Sequence, residues 1–208
     1  MPLIAFYVLF LSVCMIVYVA GLFYPWLGVV LAASSSTPWG VVTSLFIHGD
    51  VVRLASNLVG LLSFVLVFIF TNFFLPAGER VWRVTFFTLA ILSATILSNL
   101  IWIFVGSLGS IGASGLIYAS EGAVTGFCLL NFWRVYSEPR GTCNARSVLF
   151  VNLLVFILIC VWMVFYSNSF ISYGRDVNVL VHGSSFMLAL ILAIESGNLR
   201  GALGMSST

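Results

Sequence analysis

The chain has no lysine. Its eight basic residues are all arginine, and with six acidic residues they amount to 7% of 208 positions, against 62% hydrophobic ones. Soluble domains carry about 25% charged residues, so this sequence cannot coat a water-facing surface and reads as an integral membrane protein. A net charge of +2, dispersed along the chain, leaves no basic patch for nucleic acid. Cysteine is sparse: Cys14, Cys128, Cys143 and Cys160 form no CxxC and no closely spaced pair, which argues against a disulfide framework and a thiolate metal cluster. Two histidines, His48 and His182, are too few to suggest a metal site, and no cofactor is expected. No basic leader precedes the first apolar stretch, which runs to Phe23. That stretch exceeds the apolar core of a secretory signal, about 7–15 residues, and reads as a retained first span.

What the chain has in abundance is apolar runs of about 20 residues, enough to cross a bilayer as helices. They fall at 3–23, 52–75, 84–105, 110–130, 147–166 and 178–195, and predict an all-α, polytopic bundle of six transmembrane helices in a single domain. The breaks are the segment 24–51, a turn at Pro76–Arg80, a link at Gly106–Gly109, and polar stretches at 134–146 and 167–177. The first break is long for a connection. It carries Trp26 and Trp39, residues suited to an interfacial element at headgroup level. With the N-terminus inside, Arg80, Arg83, Arg134, Arg140, Arg146 and Arg200 lie on the cytoplasmic side and only Arg53 and Arg175 outside, as the positive-inside rule expects. Both termini are then cytoplasmic.

Within this apolar background, Gly109-Ser-Ile-Gly-Ala-Ser-Gly-Leu-Ile-Tyr118 places a hydroxyl among glycines at the start of a span. Small residues in membrane helices commonly serve tight packing. The same arrangement is also a seat for a nucleophile, because a helix N-terminus favours a developing anion. Ser114 and Tyr118, four apart, share one helix face. Asn57 on the second span, and Asn178 and His182 on the sixth, enter from the same side, so Ser114, Asn57 and His182 lie at similar depth in the outer half of the membrane. A serine needs a base to take its proton, and imidazole is the usual one near neutral pH. The oxyanion needs donors, which the Ser114 N–H and the Asn57 amide can supply. No acidic residue in the outer half of the spans can orient His182, so the chemistry would be that of a Ser–His dyad.

These residues resemble the rhomboid family of intramembrane serine proteases. The ordered matches are Trp39 followed by His48, His48 followed by Asn57, Gly112-Ala-Ser-Gly-Leu-Ile-Tyr118, and Val177-Asn-Val-Leu-Val-His182. The resemblance implies Ser114 as nucleophile, His182 as base, Tyr118 packing beside the histidine, Asn57 in the oxyanion hole, and a cap at 167–177. Five positions, in four departures, differ from the family's pattern. Arg53 stands where a histidine is common, Gly40 follows Trp39 in place of arginine, Ser185 and Ala189 replace glycines after the base, and Ile69 replaces a glutamate.

Other polar residues have bland readings beside sharper ones. Arg53 is read as snorkelling to headgroups, with donation to the oxyanion as the alternative. Glu121, seven residues after Ser114 on the same face, is read as a carboxyl hydrogen-bonded to a neighbouring helix, with a proton relay as the alternative. His48 and Asn178 are read as structural polar residues, His48 fixing the first loop by hydrogen bonds. The expectation is therefore a serine endopeptidase of the bilayer acting on single-span membrane proteins. Its rivals are an inactive relative that binds such clients and a small transporter. The bare six-span form suits a prokaryotic plasma membrane, and the sequence leaves substrate, cleavage motif and oligomeric state open.

Overall fold

The computed structural model describes residues 2–105, 109–137, 143–165 and 179–202. After α1 (Pro2–Phe23) come two short helices, α2 (Leu27–Val30) and α3 (Gly40–Thr43), and a 3-10 turn at Ser44–Phe46. Then follow α4 (Val51–Thr71), α5 (Ala77–Val105), α6 (Ser114–Ser137), α7 (Cys143–Phe165) and α8 (Val179–Ala202). Among the described residues there is no strand, and four helices, α1, α4, α5 and α8, are long and apolar enough to cross a membrane. The chain is a polytopic helical membrane protein.

Helix α6 falls outside that apolar set for a physical reason. Residues 119–128 are buried without interruption, enclosed by α4, α5, α7 and α8. Protein, not lipid, solvates this helix, so Ser120, Glu121, Thr125 and its glycines are tolerated there. Around it the other helices show one buried stripe each. On α4, Leu54, Leu58, Leu61, Val65 and Phe68 recur at helical spacing and are buried, while Val59, Leu66 and Phe70 face outward, the pattern of a helix with one packed face. Phe68 stacks on Phe87 of α5 at 4.1 Å and meets Phe127 of α6 edge-on at 5.4 Å, so three helices share one aromatic centre.

Helices α6 and α8 approach each other closely. A β-carbon on Gly122 would collide with the Phe186 carbonyl, so only glycine lets the two backbones sit at this distance. The glycines missing after His182 are thus offset from the facing helix, and Ser185 and Ala189 remain fully buried against it. Gly40 is constrained in the same way, since its β-carbon would overlap the Ala32 carbonyl.

Helix α5 starts at Ala77, earlier than the span expected from 84, and Pro76 supplies the carbonyl that accepts the Arg80 N–H. The added turns draw Glu79 and Arg83 inside. Arg83 donates from Nε and Nη2 to Glu79 Oε1 at 3.1 and 2.9 Å and from Nη1 to Asn72 Oδ1 at 3.3 Å, with its guanidinium 5.4 Å from the Phe127 ring centre. Arg83 is therefore a buried structural cation, not the loop charge inferred from the sequence.

The segment between α1 and α4 is ordered by its own polar groups. Trp39 Nε1 donates to the Val30 carbonyl at 2.7 Å, Thr37 Oγ1 to Ala32 at 2.6 Å and Thr43 Oγ1 to Leu31 at 2.9 Å. Asn99 of α5 ties the segment to the bundle, donating to the Val41 carbonyl and Ser44 Oγ, both at 3.1 Å.

Candidate active site

The loop before α6 is held on the first-loop platform. Ala33 and Ser110 exchange backbone hydrogen bonds of 2.9 and 3.0 Å, and the Gly112 N–H donates to the Ser44 carbonyl at 2.9 Å. Gly112 adopts a φ of 105°, a conformation that side-chain-bearing residues avoid, and this turn aims the chain into α6 with Ser114 as its first residue. The Leu116 N–H donates to the Ala113 carbonyl at 2.9 Å, and the N–H groups of Ser114 and Gly115 come before the first intrahelical acceptor can serve them. A β-carbon on Gly112 would lie 3.6 Å from Asn57 Nδ2, so the amide of Asn57 borders the same turn.

Helix α8 brings the imidazole to the hydroxyl. His182 Nε2 lies 2.9 Å from Ser114 Oγ, and the His182 ring stacks on Tyr118 with centroids 4.2 Å apart. His182 is 6% exposed, so its ring is held by packing. Ser114, Asn57, Tyr118, Glu121 and His182 all line one cavity of about 780 Å³, walled by α4, α6 and α7. The arrangement offers a hydroxyl with a base in hydrogen-bond contact and two kinds of donor beside it.

A family model for the rhomboid domain matches residues 35–195, well over half of the chain. The chain belongs to the rhomboid family. No curated protein matches it. Rhomboids are mostly serine-type intramembrane proteases that act on membrane proteins within the bilayer.

Other polar residues of this rhomboid lie outside the Ser114–His182 contact. Arg53 does not border the cavity: its N–H donates to Asp50 Oδ1 at 2.8 Å, and its Nε lies 3.5 Å from Asp50 Oδ2, both side chains about half exposed. Asp50 thereby caps α4. Both ring nitrogens of His48 are buried, with the Phe46 backbone as the polar group beside the ring. Burial lowers its pKa below the usual 6.5, more than the Phe46 backbone and the Asp50 carboxylate raise it. Glu121 is not hydrogen-bonded to a neighbouring helix, since both carboxyl oxygens are buried and unpartnered. Asn178 and the cap at 167–177 lie outside the described residues. Among the described residues no cluster of His, Cys, Asp and Glu could hold a metal.

The His48 shift has a sign that can be tested. Its folded-state pKa is lowered, so below about 6.5 the unfolded chain takes up the proton more readily and stability falls with pH. The unfolding midpoint in detergent should drop between about pH 6.5 and 5, and His48→Gln should flatten that slope. An unchanged slope in the variant would show that His48 carries no such linkage.

Several structural residues are not singled out by the sequence: Asn99, the Glu79–Arg83–Asn72 cluster, and Asn131, which donates to Asn152 Oδ1 at 2.8 Å. The signal that marks Asn57, an amide inside an apolar run, is present at each of the asparagines.

Proposed function

We propose that this rhomboid is an intramembrane serine endopeptidase that hydrolyses a peptide bond of single-span membrane proteins near their outer boundary, as one catalytic domain with both termini cytoplasmic. The observation carrying this reading is the 2.9 Å contact between Ser114 Oγ and His182 Nε2. A serine with its base already in hydrogen-bond reach is the basic unit of nucleophilic acyl transfer. His182 takes the hydroxyl proton as Oγ attacks the scissile carbonyl. The tetrahedral oxyanion is met by the N–H at the start of α6 and the Asn57 amide. His182 then gives its proton to the leaving amine, and water, deprotonated by the same ring, releases the acyl group. Tyr118, stacked on the imidazole, fixes its orientation. The dyad needs no metal or cofactor.

Purified protein in liposomes should be labelled at Ser114 by a serine-directed phosphonate, and His182→Ala should lose that labelling. A wild-type protein that resists the reagent under conditions that preserve its fold would favour an inactive, client-binding relative.

Arg53 provides a contrasting expectation. Because it pairs with Asp50 at the surface, Arg53→Ala should change cleavage by no more than about threefold, the range of a surface substitution. A loss comparable with that of Ser114→Ala would make Arg53 an oxyanion donor after all.

A further inference from the structure

Helix α4 carries Asn57 near its start and borders a second cleft at its end, so this cleft lies at the membrane face opposite the dyad. The start of α1 and the start of α5 complete it, and it encloses about 360 Å³, within the roughly 300–1,000 Å³ of ligand sites. All three helices are apolar enough to cross a bilayer, and a cleft at their ends lies where acyl chains give way to headgroups. Its walls are apolar, from Leu3, Phe68 and Val84, and its lip carries Ile4 and Val81, 53% and 67% exposed. Apolar side chains this open at the end of a spanning helix face lipid.

One charged residue borders the cleft, the exposed Arg80. Among the described residues it has no carboxylate partner, and its hydrogen bond goes from Nη1 to the Phe73 carbonyl at 3.3 Å. A guanidinium has five donors, so most remain to be offered. The neighbouring charges cancel each other, since Arg83 and Glu79 are buried and joined at 2.9 Å. Asn72, the polar residue of the wall, is engaged by the Phe68 carbonyl and by Arg83. The cleft thus joins an apolar trough to a single cation.

We propose that this cleft binds an anionic phospholipid, with one acyl chain along the trough between α1, α4 and α5 and the phosphate on Arg80. A guanidinium meets a phosphate through two parallel hydrogen bonds. A soluble anion leaves the apolar walls uncovered, and a neutral apolar molecule leaves the arginine without a counter-charge. A phospholipid satisfies both. Seated there, it braces α1 against α4 and α5 and stabilises the fold by mass action. The site is independent of the chemistry at Ser114.

Native mass spectrometry of the full chain in a non-ionic detergent, titrated with phosphatidylglycerol or phosphatidylcholine of identical chains, gives the affinity for the first lipid. Phosphatidylglycerol should bind at least about fivefold tighter, the factor of one basic residue at a membrane surface. Arg80→Gln should bring the ratio to about one, and Arg80→Lys should keep a preference. Arg146→Gln should leave the ratio unchanged, because Arg146 is also exposed at this end of the bundle but does not line the cleft. Glycerol phosphate, which has the anion without the chains, should not displace the lipid at equal concentration. Equal affinities in the wild type, or a preference that survives in Arg80→Gln, overturns the proposal. A loss of the same size in Arg146→Gln marks diffuse surface attraction, and displacement by glycerol phosphate marks a site for a soluble anion; either result overturns it too. Should Arg80→Gln fail to insert, the wild-type ratio and the Arg146 variant decide.

Discussion

Ser114→Ala is expected to lower cleavage of a single-span substrate by about 10⁴-fold or more, with His182→Ala giving a loss of the same size. Hydroxyl and imidazole act on one proton, so once either is gone the other has nothing left to do. The double variant should therefore be no worse than each single one, a non-additivity that independent binding residues would not show. Ser114→Ala should keep the wild-type unfolding midpoint within a narrow margin, because Ser114 is half-buried at a helix start and its removal opens little space. Turnover that persists in purified Ser114→Ala would eliminate the mechanism. Equal stability with abolished turnover would separate chemistry from packing.

Arg83→Met is expected to cost about 3–5 kcal/mol of stability, the loss typical of removing one member of a buried ion pair. Arg83 and Glu79 have side-chain exposures of 7% and 2%. The substitution leaves the Glu79 carboxylate buried without its guanidinium and takes a donor from Asn72 Oδ1. The companion Glu79→Gln/Arg83→Met should recover much of the loss, since a neutral pair of similar volume avoids the stranded charge. The check is the midpoint of unfolding on titration with a denaturing detergent. An Arg83→Met protein as stable as the wild type would mean that water or lipid headgroups already solvate this end of the bundle.

Legible and hidden features of this chain divide along a physical line. The spacing of apolar runs carries helices well, because a bilayer imposes length and hydrophobicity on what crosses it. The dyad is legible through scarcity. In a chain with two histidines, an imidazole inside a span and a hydroxyl among glycines at matching depth stand out against lipid-compatible neighbours. Pairings made inside the bundle are not legible. Arg83 looks like a loop charge because its partner Glu79 lies in what reads as a turn, and composition does not reveal that Pro76 starts the helix early. The departures at Ser185 and Ala189 weaken the resemblance on paper, yet Gly122 on the facing helix provides the close approach. A single sequence shows which small residues exist, not which of two partners must be small. Glu121 is conspicuous in the sequence as a carboxyl within a span, and only three-dimensional placement ties it to the cavity of the dyad.

The imidazole and the hydroxyl of the proposed pair arrive at different times during synthesis. His182 follows Ser114 by 68 residues and sits on the helix that enters after five others. A chain still emerging from the ribosome, inserted as far as α7, holds an alcohol with no acceptor for its proton. On the proposed mechanism, a chain inserted only that far could not carry out acyl transfer.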